Sequence, residues 1–221
     1  MKSKKALTQG QLVAGIVITI VAFMVVYFAV VAPIASGAPS TFSDEMCHMN
    51  TALINAVGTG GKWIPPLFFC SMRKAEIKAD NWKECPEEYK TKYDAAETKN
   101  KPKALKDCAA YQIGKLADRC WYMGGKGKVD FGILKGKRFD CFNVVVTNMG
   151  KNKKLNENDI RNGIKAVKEN GELKYGISYK EDSNEFSFEP NDKHIETGKV
   201  APMYYCFGGL VRQVSFFGCE D

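Results

Sequence analysis

The sequence predicts an α+β fold in which an N-terminal transmembrane helix precedes one disulfide-rich domain. Three observations support this prediction. A long stretch near the N-terminus holds no charged residue, and all eight cysteines lie beyond it. The apolar residues that follow are first spaced by three or four, as in helices, and later alternate, as in strands. We therefore expect a helical first half and an antiparallel, strand-rich second half.

The uncharged stretch "LVAGIVITIVAFMVVYFAVVAPIA" covers residues 12–35 and contains 24 residues. As a helix it would measure about 36 Å, which exceeds the hydrocarbon core of about 30 Å. A cleaved secretory signal has a shorter apolar core of about 7–15 residues. We interpret the stretch as a retained signal-anchor that contacts membrane lipid.

The charges on either side of this stretch predict its orientation. Three lysines lie within the first five residues, whereas the first charges after the stretch are Asp44 and Glu45. The positive-inside rule then places the N-terminus in the cytoplasm and the rest of the chain outside the cell membrane. The predicted organisation is a cytoplasmic tail, a membrane span, a neck and an extracytoplasmic domain, at residues 1–11, 12–35, 36–42 and 43–221.

The cysteines agree with an oxidising compartment outside the cell. Their number is even, which predicts a framework of up to four disulfides. Zinc is the competing interpretation, but zinc ligands come in close pairs, whereas the smallest gap here is 12 residues and only two histidines are present. We therefore predict no metal and no cofactor. The predicted disulfide residues are Cys47, Cys70, Cys85, Cys108, Cys120, Cys141, Cys206 and Cys219.

The net charge gives no case for nucleic acid as a partner. Without the three N-terminal lysines, the chain carries 29 basic and 25 acidic residues. Nucleic-acid-binding domains usually show a stronger, clustered basic excess. We expect an ordinary solvated basic surface.

Short helices are predicted in the first part of the domain. One covers residues 46–57 and ends at a glycine cluster, and a second is assigned to residues 71–81. The apolar residues 63–70 between them include two prolines and are expected to be irregular and buried. A third helix begins at "CPEE", residues 85–88, because proline and acids favour a first turn, and ends near Thr98.

The strongest helix prediction covers residues 104–122. Cys108 and Cys120 lie in it 12 residues apart, or about 18 Å along a straight helix. Because a disulfide needs α-carbons within about 7 Å, each must bond to another element, which would staple the helix at both ends. The apolar stripe of this helix is Leu105, Ala109, Ile113, Leu116 and Cys120.

The glycine-lysine cluster after this helix is interpreted as a turn. A phosphate-binding loop with Gly127-Lys128 would need a glycine at Tyr122 and a hydroxyl residue at Val129, and a dinucleotide fingerprint fails at Asp130. Phosphate loops also run from strand to helix, which is the reverse of the order here. Gly124 or Gly125 fits the left-handed position that ends a helix.

Strands dominate the second half. Two hairpins are predicted, one joining residues 128–134 to 138–146 and the other joining 173–180 to 185–189. Two further strands are expected at residues 203–209 and 210–219. Between the hairpins, residues 158–169 predict a short helix. Asn156 or Asn158 would cap this helix, and Gly171 would end it.

No residue pattern points to catalysis. The chain lacks G-x-S-x-G and C-x-x-C motifs. Cys47 and His48 are neighbours, and on a helix their side chains point about 100° apart. His194 lies in a polar stretch, where a solvated histidine is the ordinary outcome. The acidic pairs at residues 44–45 and 87–88 suit helix starts, so no catalytic residue is predicted and we expect a non-enzyme.

Aromatic residues cluster beside the cysteines. We expect them to pack in the core, with a sugar- or protein-binding face as the alternative. They are Trp121, Tyr122, Tyr204, Tyr205, Phe207, Phe216 and Phe217.

Two segments resemble known kinds of sequence. "KKALTQGQLVAGIVITIVAF" resembles archaeal membrane-anchored and class III signal (pilin-like) sequences, which implies processing after Gly10, although it lacks the glutamate usual in type IV pilins. "ADRCWYMGGKGKVDF…FDCF", within residues 117–142, is similar to a segment of single-pass, cysteine-rich proteins of small-genome archaea. The second resemblance implies a location and no activity.

The sequence thus predicts a membrane-anchored cell-surface protein of structural or interaction type. Its expected partner is another protein at the cell surface or a second copy of itself. Two alternatives stay open. One is a pilin-like subunit of a surface filament or secretion complex, and the other is an extracytoplasmic enzyme acting on envelope material.

Overall fold

The structure is a computed structural model that describes part of the domain. The described residues are 44–45, 47–49, 51–52, 73–98, 100–126, 138–150, 153–178, 185–190, 193–208 and 211–219. The chain divides into two units, residues 1–43 and 44–221, and the described residues all belong to the second. The predicted tail, membrane span and neck lie outside the described residues, as do residues 63–70 and Cys70. In the described part, no helix is both long and apolar enough to cross a membrane.

The domain is of mixed α and β type, as predicted. Its described residues between 44 and 52 are helical and are called the N-terminal segment below. A 3-10 turn covers Trp82–Glu84, and the α-helices that follow are α1 (Glu87–Ala95), α2 (Lys101–Met123) and α3 (Glu157–Glu169). The strands are β1 (Arg73–Lys78), β2 (Arg138–Thr147), β3 (Lys154–Leu155), β4 (Phe186–Phe188), β5 (Ile195–Glu196), β6 (Val200–Gly208) and β7 (Val211–Phe216).

Five of these strands form one mixed sheet in the order β1-β2-β6-β7-β4. The two central pairings, β2 with β6 and β6 with β7, are antiparallel. Both outer pairings are parallel, since β1 runs alongside β2 and β4 runs alongside β7. The prediction of an antiparallel second half is therefore correct for the centre of the sheet and wrong for its two edges. Strands β3 and β5 form a separate antiparallel pair.

The helix predicted over residues 71–81 is wrong, because strand β1 occupies this stretch. Lys74, Glu76 and Lys78 are exposed, whereas Ala75 and Ile77 face the core. Charges at every second position are the pattern of a half-buried strand, because residues two apart lie on opposite sides of a helix, and the helix prediction overlooked this signal. Pairing with β2 over all six residues makes the segment a strand.

The hairpin predicted from residues 173–180 and 185–189 is also wrong. Residues 173–178 form no strand, because the carboxylate of Asp118 accepts hydrogen bonds from the backbone N–H groups of Lys174, Tyr175 and Ile177. Strand β4 pairs with β7 instead. The first strand of the other predicted hairpin lies outside the described residues.

Helices α1, α2 and α3 confirm the predictions for their regions. Helix α1 begins directly after Pro86 with two acids in its first turn, and it ends three residues earlier than expected. Helix α3 begins with a capping box in which the side chains of Asn156 and Asp159 accept each other's backbone N–H groups. Gly171 follows α3 in the left-handed conformation, with φ of 72°.

Three disulfides confirm the predicted framework in the described residues. They join Cys85 to Cys108, Cys120 to Cys141, and Cys206 to Cys219. Cys47 is also disulfide-bonded, and no described cysteine is free. As predicted, the two cysteines of α2 bond to other elements, so α2 is fixed to the residues just before α1 and to the inner strand β2.

Helices α2 and α3 approach each other through two glycines. A Cβ atom at Gly163 would lie 2.2 Å from the carbonyl oxygen of Ala110, and one at Gly114 would lie 2.8 Å from the backbone nitrogen of Ile164. Both neighbours are backbone atoms, which cannot rotate away. The two helix backbones therefore meet at a distance that only glycine allows at both positions.

We expect Gly163→Ala to reduce the free energy of unfolding by about 2 kcal/mol or more, because overpacking of a close contact costs about 1–3 kcal/mol. Chemical denaturation of the variant measures this loss. Lys165→Ala, a nearby change on the exposed side of α3, is the control and is expected to stay within about 0.5 kcal/mol of the native protein. Equal stability of the two variants would contradict the close approach.

Candidate interaction site at the end of helix α2

A group of charged and aromatic side chains lies where α2 ends. At its base is Asp44, whose side chain is only 3% exposed. Its Oδ1 accepts a hydrogen bond from Arg73 Nη2 at 2.6 Å, and its Oδ2 accepts one from Arg119 Nε at 2.7 Å. Burial of a carboxylate is tolerated when it is paired and hydrogen-bonded in this way.

Both arginines of this ion pair also contact the same aromatic ring. The guanidinium carbons lie 5.3 Å (Arg73) and 5.5 Å (Arg119) from the ring centre of Phe142. Asp44 therefore links the N-terminal segment to β1 and α2, while the arginines link those elements to β2. Two cations meet one carboxylate, so this group of three charges has a net charge of +1.

The N-terminal segment also caps the last turn of α2. The ring nitrogen His48 Nδ1 donates a hydrogen bond to the carbonyl oxygen of Tyr122 at 2.7 Å. The hydroxyl Thr51 Oγ1 lies 2.9 Å from the carbonyl oxygen of Met123. Helix carbonyls in the last turn lack partners within the helix, and here they are satisfied by side chains from a distant part of the chain.

Three rings form a stacked column next to this cap. The Tyr122 ring lies 4.1 Å from the His48 ring and 4.1 Å from the Tyr175 ring, and both pairs are nearly parallel. Atoms in contact stay about 3.5 Å apart, so two rings on one face of Tyr122 would overlap. His48 and Tyr175 therefore lie on opposite faces, with Tyr122 between them.

Lys126 lies beside this ring column. Its Nζ is 5.3 Å from the ring centre of Tyr122 and 5.4 Å from that of Tyr175. Nearly equal distances to two stacked parallel rings place the ammonium group at their edges. Lys126 follows Gly125, whose φ of 78° confirms the predicted helix-ending turn at residues 124–126.

The tyrosine hydroxyl of the column is held by a carboxylate. Tyr122 donates a hydrogen bond to Glu45 Oε2 at 2.5 Å. Burial raises the pKa of Tyr122, and the adjacent Glu45 raises it further. Burial also raises the pKa of Tyr175, again with a contribution from Glu45. Both tyrosines therefore remain neutral hydrogen-bond donors across the physiological pH range.

Asp118 fixes the loop that carries Tyr175. The residue is 2% exposed, and its two oxygens accept the N–H groups of Lys174 and Tyr175 at 2.9 Å and of Ile177 at 3.1 Å. Burial raises the pKa of Asp118, and the amide donors offset only part of that effect. Because Asp118 precedes Tyr122 by one helical turn, it holds the Tyr175 backbone where its ring reaches Tyr122.

The three carboxylates of the site all accept hydrogen bonds from within the domain. Asp44 is neutralised by arginines, Asp118 accepts three backbone amides, and Glu45 accepts the Tyr122 hydroxyl. Among the described residues, no three His, Cys, Asp or Glu side chains are grouped so that they could hold a metal ion.

The structure brings together some residues singled out in the sequence and separates others. Asp44 and Glu45 lie in a helical segment, but their roles as an ion-pair centre and a tyrosine acceptor were missed. Cys47 lies in a disulfide, whereas its neighbour His48 stacks on Tyr122. His194 is not part of this site. It stands directly before β5, and its Nε2 lies 2.9 Å from the Nζ of Lys154 in β3.

The aromatic cluster is largely a packing feature, as expected. Trp121, Tyr122, Tyr205 and Phe216 are buried, and Tyr204 is partly exposed. The side chain of Phe207 lies outside the described residues. The sequence analysis missed Asp118, because Lys115 and Arg119 lie close to it in the helix and make it look like an ordinary exposed charge.

No family model matches this chain, and no curated protein or solved structure is similar enough to count as a relative.

We expect Asp44→Asn to reduce the free energy of unfolding by about 3 kcal/mol, because removing one partner of a buried ion pair leaves the other charges uncompensated. Denaturant unfolding of the purified protein measures the change. Glu88→Gln removes an exposed pair with Lys92 and serves as the control, for which a loss below about 1 kcal/mol is expected. Similar losses in both variants would show that Asp44 does not organise the site.

Asp118 predicts a defined pH dependence of stability. The pKa of Asp118 is higher in the folded than in the unfolded chain, so folding is coupled to proton uptake by this carboxyl group. Its contribution to the free energy of unfolding therefore grows as pH falls from the folded pKa toward the unfolded value of about 4. Asp118→Asn removes that contribution. The free energy of unfolding of the native protein, minus that of the variant, should therefore rise as pH falls from 7 to about 4. The opposite slope would mean that the amide donors outweigh burial.

Proposed function

We propose that this chain is a membrane-anchored cell-surface protein that presents a disulfide-stapled α+β domain for interaction with another protein. The observation that carries this proposal is the state of the cysteines, since all seven in the described residues are disulfide-bonded. Disulfides persist outside the cytoplasm. The uncharged residues 12–35, with lysines before them, supply the anchor and the orientation.

The end of helix α2 is the proposed contact surface. Tyr and Arg side chains are enriched at the centres of protein interfaces, and this site combines the Tyr122–Tyr175 stack with Arg73 and Arg119. Lys126 and Met49 are exposed beside it, and Met49 is 56% exposed. The Tyr122 ring is buried and its hydroxyl is bound to Glu45, and both arginines are bound to Asp44. Tyr175, Lys126 and Met49 are therefore the side chains left to meet a partner.

A thiol count in native membranes tests the location. The membranes are treated with an alkylating reagent without reductant, and the protein is weighed before and after reduction. Eight cysteines that become reactive only after reduction are expected, together with loss of the domain when protease is added to intact cells. Free thiols in the native protein, or a domain shielded from external protease, would contradict the proposed topology.

A further inference from the structure

Strand β1 leaves one edge of the main sheet open in the described residues. The N–H of Ala79 donates to the carbonyl of Thr147 in β2, and the carbonyl of Ile77 accepts the Thr147 hydroxyl. Because backbone groups of successive strand residues point to opposite sides, the odd-numbered residues face β2. The backbone groups of Lys74, Glu76 and Lys78 therefore point to the open edge.

The side chains along this edge carry alternating charge. Lys74, Glu76 and Lys78 are exposed on the sheet face away from the core. None of the three has an ion-pair partner among the described residues. An open strand edge is a template for pairing with another strand, and these charges restrict which strand fits.

We propose that strand β1 pairs with β1 of a second copy of this chain, antiparallel and centred on Ala75. In this arrangement Lys74 of one copy lies directly opposite Glu76 of the other. Because of the twofold axis, Glu76 of the first copy also lies opposite Lys74 of the second. Each pair exchanges two N–H···O bonds, because the groups that face the edge belong to these residues. Opposite charges on directly opposed residues stabilise such a pairing, and like charges oppose it.

Two other registers are less favourable. Centring the axis on Glu76 would oppose Glu76 to itself and Lys74 to Lys78, which places like charges together. Centring it on Ile77 would require the Lys78 carbonyl, which already accepts a hydrogen bond from Gln112 Nε2 at 2.9 Å. In the register centred on Ala75, the edge groups of Lys74 and Glu76 have no competing hydrogen bond among the described residues.

The contact is small, so membrane attachment matters to its strength. Two short strands make far less than the roughly 1,200 Å² of a stable interface. Copies held in one membrane meet at a raised effective concentration. This inference is independent of the contact surface at the end of α2, and it benefits from the proposed anchor.

The test uses the full chain in lipid vesicles, labelled at an added C-terminal tag with a donor or an acceptor fluorophore. Energy transfer should fall at least threefold for Lys74→Glu and for Glu76→Lys, because each opposes like charges. The double variant Lys74→Glu/Glu76→Lys should restore it. Lys92→Glu on α1 makes the same charge change away from the edge and should have no effect. No transfer in the native protein, insensitivity to the single changes, or failure of the double variant would each overturn the proposal.

A zero-length carbodiimide coupling then locates the contact. Copies grown in ¹⁴N and ¹⁵N medium are mixed in the vesicles, coupled, digested and analysed by mass spectrometry. We expect mixed-isotope peptides that join Lys74 to Glu76, which only different copies produce. Association with mixed-isotope links elsewhere and none at this pair would overturn the assigned strand and register. The same coupling can be done in detergent at high protein concentration, where no membrane is needed. The Lys74–Glu76 link is expected there even if the thiol count contradicts the proposed topology, so the two proposals can fail separately.

Discussion

The attachment of helix α2 at both of its ends is the constraint on which the rest of the structure depends. The bond from Cys120 to Cys141 fixes its last turn to the inner strand β2, and the bond from Cys108 to Cys85 fixes its first half to the residues just before α1. Disulfides that close loops of this size stabilise a domain by about 3 kcal/mol each. A helix held in this way cannot slide or rotate on the sheet, so residues at its end keep fixed positions.

Because this end of α2 is fixed, side chains from its last two turns can contact several separate segments of the chain. Asp118, Arg119 and Tyr122 are close in sequence, but successive side chains on a helix diverge by about 100°. Asp118 consequently reaches the loop after α3, Arg119 reaches Asp44, and Tyr122 stacks between His48 and Tyr175. The interaction site is therefore assembled from three distant parts of the chain by the direction of side chains on one rigid helix.

The sequence predicted those parts of the fold whose signal is local. The apolar stripe of α2, the capping asparagine of α3 and the proline before α1 depend on neighbouring residues, and all three helices were found. Strand β1 was missed although its alternating charges are a local strand signal, because the segment is short and its pairing partner β2 lies about 70 residues away. The same reason applies to the site. Asp44 was identified as a helix start, but its burial requires Arg73 and Arg119, which only the folded chain brings to it.

The disulfide between Cys206 and Cys219 determines the order in which the strands of the sheet can unfold. It closes a covalent ring, with a sequence separation of 13, that contains β7 and the last residues of β6. An exopeptidase that digests from the C-terminal side reaches the disulfide at Cys219 before it reaches β7. A force applied beyond residue 219 is likewise transmitted through the disulfide to Cys206 in β6. The last strand therefore cannot peel away by itself, and the sheet must open from another side, with β6 and β7 leaving it as one unit.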